Sequence, residues 1–442
     1  MDRISVFGLG PVGVVTAVCF THAGYPVVGI ETDTQRVKAL NEGTVPFFEP
    51  VLSDYLKEAI NNGLFRATDE SEANSDSRFT FITVGTPSEP DGSISLDYVK
   101  SAAKSIGRSL RASRGYQLVL LKSTVTPGTA RQVVKPILEK ESGKTAGEDF
   151  GICSNPEFLR EGNAVYDFES PDRIVIGGEG KDIEIAEKFY KEFYEDRLPP
   201  IVSTSFETAE LIKYASNSFL AMKVSFINMF ANLCQNIRGA DVEDVAKGIG
   251  LDKRIGPLFL QAGLGWGGPC FLKDLRAIAS FGKQVNTPTP LVDATINLNN
   301  CQPFRAVELA GKLVGNLRGK RIAILGLAFK PDTDDLHEAV SIPIISELLN
   351  KEATVVVYDP AANENARRIF GARIEYARDS IACLEQCDCC IIATEWAEFK
   401  NLTPEVFLTK MKYAAVVDGR RIYNAQQFEN ANVNFAATGL GQ

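Results

Sequence analysis

Histidine is nearly absent: His22 and His337 are the only two in 442 residues. A histidine general base or a His-rich metal site is therefore not expected, and proton transfer falls to Lys, Glu, Asp, Thr or Cys. Positive charge is also short. The 47 Lys and Arg stand against 56 Asp and Glu, a formal net charge of -9. That balance argues against general affinity for nucleic acid or anionic membrane surfaces, so an anionic ligand has to be held by a local pocket. No apolar run approaches the roughly 18 residues that span a bilayer. Residues 3–9 (RISVFGL) already read as a strand and leave no room for a leader sequence. The expectation is a soluble, cytoplasmic protein. Low-complexity tracts are missing too, which excludes extended disorder at 45% apolar and 23% charged residues. The nine cysteines are odd in number and scattered, unlike a secreted disulfide scaffold, so reduced thiols are expected.

What the chain does have is length for two or three cores, and alternation. The strand-like ISVFGLG runs into GPVGVVTAVCFTHAGY, with small and apolar residues at helical spacing, and YPVVGIE and TDTQRVKALNEG repeat the unit. Further strand-like runs are RFTFITVG, QLVLLKST, DFGICSN and DRIVIGG. Strands alternating with helices imply a mainly parallel, doubly wound sheet, which the reading ends near residue 200. Residues 205–238 carry a helical pattern without a stop, roughly 45 to 50 Å at 1.5 Å per residue, long enough to connect two domains and supply a dimer surface. Helices around 241–250, 272–282 and 291–316 complete an all-helical middle. A second α/β pattern follows in KRIAILGLAF, IISELLNKEA, ATVVVYDP, CDCCIIATEW and AAVVDGR. The expected class is α/β: an N-terminal Rossmann domain over 1–200, a central all-helical dimerisation domain with a long connecting helix over 201–300, and a C-terminal Rossmann-like domain over 301–442. The last has Gly326 in GLAF without the two later glycines of the fingerprint, and reads as a nucleotide-type pocket that does not take a dinucleotide.

Gly8, Gly10 and Gly13 form GxGxxG, with Val12 inside it, directly after a strand and at the start of a helix. The first glycine permits the tight turn, the second lets backbone approach a pyrophosphate, and the third allows close helix–strand packing. The phosphates would rest on the helix N-terminus. Glu31, 18 residues past Gly13, is placed to accept hydrogen bonds from ribose hydroxyls and would repel a 2′-phosphate, so NAD is expected over NADP. Arg36 reads equally as a residue facing the adenine ribose or as a solvated helix charge.

Residues 261–274 (QAGLGWGGPCFLKD) surround Cys270 with glycines and place it at the start of a predicted helix. The helix N-terminus favours thiolate over thiol and makes Cys270 a candidate nucleophile. Asp274, four residues on, shares its face and is a candidate for activating water. The competing reading is one more buried cysteine, as expected for Cys19, Cys153 and Cys234. Cys383, Cys387, Cys389 and Cys390 lack a C-x2-C spacing or a nearby histidine and read as buried cysteines in and before a strand; no metal is expected. Asn155-Pro156 resembles a helix N-cap followed by Pro, which would place Glu157 and Glu161 on one face.

The motifs GLGPVG, TVGTP, KSTVTPG, NPEFLREG, LIKYASN, RIGPLFLQAG, GWGGPCFLKD, LGLAFKPDTDD and DGRR follow one another along nearly the whole chain. In this order they resemble the UDP-glucose/GDP-mannose dehydrogenase family, most of all its UDP-glucose 6-dehydrogenase branch. The resemblance implies NAD-dependent four-electron oxidation of a nucleotide sugar at C6, UDP-glucose to UDP-glucuronate, by way of a thiohemiacetal and a thioester on Cys270. It assigns oxyanion stabilisation to Lys213 and Asn217, four apart on the long helix, and protons and water to Asp274, Thr124 and Glu157. It places Val84, Gly85, Thr86, Pro87, Ser88, Ser123, Thr124, Val125, Glu161, Lys273 and His337 at the cofactor. It places Glu157, Phe158, Leu159, Arg160, Lys213, Asn217, Gln261, Gly265, Trp266, Gly267, Phe329, Lys330 and Arg420 at the UDP-sugar. Arg254 would reach the sugar nucleotide of a partner subunit.

The chemistry suits that set. Converting CH2OH to a carboxylate removes four electrons, so two NAD are needed in turn, and a thiolate that captures the intermediate aldehyde keeps the carbon in place between the steps. The chain departs from the family pattern at His337, where the family has an Arg that contacts the cofactor. Histidine there is expected to weaken cofactor binding or make it pH-dependent; an unchanged cofactor KM in His337→Ala would contradict this. UDP-galactose, UDP-N-acetylmannosamine and GDP-mannose stay open as substrates. A single-step β-hydroxyacid dehydrogenase would need neither the cysteine nor a third domain. A non-catalytic nucleotide-sugar sensor would have no use for Lys213, Asn217, Cys270 and Asp274 together.

Overall fold

The computed structural model describes residues 1–441. It divides into two compact units, Met1–Ser216 and the chain from Asn217 onward. The first unit is built on eight short strands: β1 (Ile4–Phe7), β2 (Val27–Ile30), β3 (Phe65–Thr68), β4 (Phe79–Ile82), β5 (Gln117–Leu121), β6 (Phe150–Ser154), β7 (Ile174–Gly177) and β8 (Ile201–Thr204). Their order is β3-β2-β1-β4-β5-β6-β7-β8. All pairs are parallel except β6 with β7, which meet antiparallel at Ser154 and Gly177. The central strands are buried along their whole length, as expected for a parallel sheet covered on both faces. Strand order reverses between β1 and β4, the switch point outside which such sheets bind ligands.

Helix α1 (Pro11–His22) starts with a proline that has no N–H to leave unsatisfied and is buried from Gly13 to Thr21. A Cβ added at Gly13 would lie 1.8 Å from the Gly8 carbonyl oxygen, so any side chain there would push the helix off the strand. At the other end Phe20 meets the rings of Tyr25, Phe81, Phe168, Phe189 and Phe193 at centroid distances of 5.1 to 6.2 Å. Each such buried ring stabilises the unit by about 1.5–3 kcal/mol. Strands β3 and β8 escaped the sequence reading because they are edge strands that mix exposed and polar positions (FRAT, IVST), which look like loop. With β8 the first sheet runs past residue 200.

Helix α2 (Phe206–Cys234) has 29 residues, about 43 Å. It stops four residues short of the expected end, in a turn beginning at Gln235. The second unit continues with α3 (Val242–Gly250), α4 (Phe271–Gln284), α5 (Pro290–Cys301) and α6 (Phe304–Val314). The single run expected over 291–316 is thus two helices, because Pro303 lacks a backbone donor and its ring crowds the preceding turn. Six strands follow: β9 (Arg321–Leu325), β10 (Thr354–Tyr358), β11 (Glu375–Tyr376), β12 (Cys389–Ile392), β13 (Ala415–Asp418) and β14 (Asn434–Ala437). They are wholly parallel in the order β11-β10-β9-β12-β13-β14, the layout of the first six strands repeated. Cys383, Cys387, Cys389 and Cys390 lie buried in the core around β12. The expected α/β class, with a Rossmann sheet at each end and helices in the middle, is the one observed. No helix among the described residues is long and apolar enough to cross a membrane.

Candidate active site

In the first unit the loops that leave β1, β4 and β5 are tied together at the switch point. Thr83 Oγ1 donates to the Gly8 carbonyl at 2.8 Å, Ser123 Oγ to the Val84 carbonyl at 2.7 Å, and Thr86 Oγ1 to the Thr124 carbonyl at 2.9 Å. Gly8, Gly10, Val12, Val84, Gly85, Thr86, Pro87, Ser123 and Thr124 therefore belong to one rim. A Cβ on Gly10 would meet nothing within 4 Å, so the space above the α1 N-terminus is open, and backbone donors face it. This fits a dinucleotide pyrophosphate.

Glu31 stands just beyond β2 and is buried. Its carboxylate accepts from the amides of Leu9 (2.9 Å), Thr32 (2.8 Å) and Asp33 (3.1 Å) and from Arg36 Nη1 (3.1 Å). Burial works to raise its pKa, but those amides and the guanidinium outweigh it and hold the group below the usual carboxylate range. Arg36, left open between a ribose contact and a solvated charge, is an ion-pair partner of Glu31.

The expected helix at Asn155-Pro156 is not formed. Residues 155–160 have no regular structure, and the next helix is Ala164–Glu169. Asn155 has no oxygen left for a cap: Oδ1 accepts from Tyr190 Oη and from Lys122 Nζ (3.4 Å), while Nδ2 donates to the Val175 carbonyl (3.0 Å). Glu49, from far along the chain, satisfies the Gly162 and Ala164 amides instead, both at 2.7 Å. Glu157 and Glu161 consequently do not share a helical face.

Glu157 is buried beneath this loop. Its Oε1 accepts from Lys213 Nζ at 3.0 Å and its Oε2 from the Leu159 amide at 2.5 Å. Burial alone would raise its pKa, but Lys213, the amide and Lys122 override that and lower it. The Phe158 ring lies under Arg173, 3.9 Å from the guanidinium carbon, and 5.4 Å from Lys213 Nζ. Arg160 is held by Asp167 through two of its nitrogens.

In the second unit Cys270 is the N-cap residue of α4 and is exposed. The buried-cysteine reading applies to Cys19, Cys153 and Cys234 but not to Cys270. The Asp274 amide donates to the Cys270 carbonyl at 3.0 Å, which sets the two residues one turn apart. The Asp274 carboxylate is 1% exposed. It accepts from Asn217 Nδ2 at 2.6 Å and from Lys273 Nζ at 2.7 Å.

The glycine-rich loop ahead of Cys270 is gripped from two sides. Asn299 bonds both the amide (2.8 Å) and the carbonyl (2.9 Å) of Trp266. A Cβ on Gly267 would sit 2.4 Å from the Glu338 carbonyl oxygen, so backbone packs directly on backbone there. The Gly268 amide donates to the His337 carbonyl at 2.9 Å, and the Phe329 ring lies against Gly268. Lys330 Nζ is 5.6 Å from the centroid of that ring.

Arg420 donates to the carbonyls of Ala393 (2.7 Å) and Gly265 (3.2 Å), while its Nη2 is buried with no acceptor among the described residues. With Gln261, Glu243, Lys247 and Arg421 it lines a cavity of about 390 Å³, where Arg421 is paired with Asp241 at 2.7 Å and with Glu243 at 2.9 Å. Arg254 is exposed and paired with Asp252 at 2.6 Å, and the exposed ring of His337, whose carbonyl holds the Gly268 amide, is paired with Asp335.

Family models of three domains match the chain in succession: the NAD binding domain of the UDP-glucose/GDP-mannose dehydrogenase family over residues 2–195, its central domain over 207–301 and its UDP binding domain over 323–425. The chain belongs to the UDP-glucose/GDP-mannose dehydrogenase family. Among curated members it is 42% identical to the UDP-glucose 6-dehydrogenase AglM of Haloferax volcanii, over 96% of this chain and 98% of that one. Among solved structures it is similar to a UDP-glucose dehydrogenase from Pyrobaculum islandicum, with TM-score 0.89, 41% identity, and 97% and 96% of the two chains covered. A UDP-D-ManNAc dehydrogenase from Pyrococcus horikoshii has the same fold at TM-score 0.86 and 27% identity, with 99% of each chain covered.

For a member of the UDP-glucose/GDP-mannose dehydrogenase family, the sequence reading passed over two cations, Lys122 and Arg173. Lys122 had a signal: a lysine directly after the apolar run QLVLL stands at the ligand-binding edge of a parallel sheet. Arg173 had none, because its partner Phe158 is remote in sequence and only the fold brings them together.

Proposed function

We propose that this dehydrogenase oxidises the C6 alcohol of UDP-glucose to the carboxylate, giving UDP-glucuronate with two NAD and one water, through a thioester on Cys270. The observation that carries the reading is an exposed cysteine at a helix N-cap, one turn from a buried carboxylate that is bonded to an asparagine and a lysine. Gly8, Gly10, Val12, Gly13, Glu31, Val84, Gly85, Thr86, Pro87, Ser123 and Thr124 would hold NAD, with Arg36, Glu161, Lys273 and His337 as further contacts. NAD, when bound, supplies the electron acceptor for each of the two oxidations.

After the first oxidation the Cys270 thiolate adds to the aldehyde carbon. An S–C bond forms, and the carbonyl oxygen takes the negative charge. Lys213 and Asn217, four residues apart in one continuous helix, meet that charge with an ammonium and an amide donor. The second oxidation leaves a thioester. Water, positioned by Thr124 and deprotonated by Asp274 or Glu157, attacks it, the S–C bond breaks, and the thiolate is regenerated. Phe158, Leu159, Arg160, Gln261, Gly265, Trp266, Gly267, Phe329, Lys330 and Arg420 would hold the UDP-sugar. The expected parts 1–200, 201–300 and 301–442, with β8 carrying the first sheet on to Thr204, would divide the work into cofactor binding, dimerisation and UDP-sugar binding.

Leu211, Phe219, Phe226, Met229 and Leu233 are exposed at helical spacing along α2, an apolar stripe that suits a second copy of the chain. In such a homodimer Arg254 would reach the partner's substrate. A monomer in sedimentation at micromolar concentration would remove this part of the reading.

UDP-glucose is favoured by the identity to relatives named for it, 42% and 41%, against 27% to the one named for a 2-acetamido sugar. NADH formation with UDP-glucose, UDP-galactose, UDP-N-acetylmannosamine and GDP-mannose tests this. Two NADH per UDP-glucose are expected. One NADH per sugar would replace the thioester route by a single-step oxidation, and stronger turnover of another sugar would move the substrate.

A further inference from the structure

Lys122 follows the last residue of β5 and is buried, a rare state for a lysine unless it is paired. Its Nζ reaches Asn155 Oδ1 at 3.4 Å and stands 5.9 Å from the centroid of the Phe168 ring. With Asn155, Glu157, Phe158 and Tyr190 it lines a cavity of about 40 Å³.

Other ionisable groups face this cavity from every element around it. Asp167, on the helix Ala164–Glu169, is committed to Arg160. Arg173, ahead of β7, stacks on Phe158 and donates to Ser216 Oγ at 3.1 Å. Tyr190 and Tyr194, on the helix Lys181–Tyr194, are kept neutral by burial. Lys213, on α2, holds Glu157. Around Glu157 therefore stand two ammonium groups, Lys122 and Lys213, and the Arg173 guanidinium. Burial pushes the Lys122 ammonium down to about 8, with Glu157 opposing that and Lys213 adding to it.

At rest Lys213 and the Leu159 amide already satisfy Glu157, and a second buried cation beside them is unfavourable unless Lys213 has to serve elsewhere during the cycle. The function proposed above demands that, since Lys213 must meet the oxyanion on C6. We propose that Lys122 is a positioning residue, the second counter-ion of Glu157, which steadies that carboxylate while Lys213 turns to the substrate oxygen. Lys122 itself touches neither substrate nor cofactor in this role, and the role rests on the proposed reaction. It gives the buried Lys122 a use beside an acid that Lys213 already holds.

The test reads Glu157 without turnover and then with it. Infrared pH-difference spectra of the intact protein report the Glu157 carboxyl, identified by its loss in Glu157→Gln. In Lys122→Met, which keeps length and removes charge, that carboxyl is expected to titrate about one pH unit higher. The acid limb of the kcat profile should move by the same amount while the sugar KM stays within about twofold. Lys122→Arg, which keeps the charge, should restore both. An unmoved Glu157 in Lys122→Met overturns the proposal whatever the substrate is. A Glu157 that moves equally in Lys122→Arg overturns it as well, because packing and not charge would then be the cause. If Glu157 moves as expected but no nucleotide sugar yields NADH from the wild type, the reading of function fails and the counter-ion placement stands.

Discussion

Cys270→Ala is expected to abolish formation of the uronate, by a factor on the order of 10⁴ or more, because the second oxidation needs the carbon held covalently. At most one NADH per sugar should appear, released with free aldehyde. Binding of the nucleotide sugar, followed by calorimetry, should be nearly unchanged, since the pocket around Arg420 proposed for the nucleotide does not include the thiol. Cys270 is exposed at the start of α4, so its loss leaves no cavity and the melting temperature should not move. Two NADH per sugar from Cys270→Ala would end the thioester mechanism.

Lys213→Met is expected to damage both stability and rate. Removing one partner of a buried ion pair typically costs about 3–5 kcal/mol because the other charge is left without compensation. Lys122 shares the cavity and still faces Glu157, which places the expected loss at the lower end, about 3 kcal/mol. In a unit of this size that lowers the melting temperature by roughly 6–12 °C. The kcat should fall by about 10²–10³, the usual effect of losing one oxyanion donor.

The pH dependence follows from Glu157. Burial opposes its ionisation, but Lys213 and the Leu159 amide prevail, so the folded value lies below the unfolded one. Its stabilisation is present in full above the ordinary carboxylate range and is lost as pH falls through the folded value. That acid-side loss should shrink in Lys213→Met. A variant as stable as the wild type, with the same acid dependence, would mean that the Glu157–Lys213 contact contributes nothing to folding.

Legibility in the sequence tracked how local each determinant was. GLGPVG could be read because its three glycines answer to contacts within a single strand–turn–helix unit, and Gly13 does pack onto the Gly8 carbonyl. Cys270 at a helix start could be read from four glycines and a proline before it. Asn155-Pro156 misled, since it carries the local signature of a helix start while its side chain is claimed by Lys122, Tyr190 and the Val175 backbone. The division of 291–316 was visible in Pro303 but was outweighed by the apolar pattern on either side of it.

The sequence by itself determined the α/β class, the central strands of both sheets, the cofactor fingerprint and the family, because apolar periodicity and short motifs act through neighbours in the chain. Tertiary structure decided which charges meet. Glu157 with Lys213, Glu31 with the Leu9 amide, Asp274 with Asn217 and Arg420 with the Gly265 carbonyl are separated by 56, 22, 57 and 155 positions. No local pattern encodes such pairs. Burial makes an unpaired charge or amide costly, so the folded chain selects the partners that satisfy them.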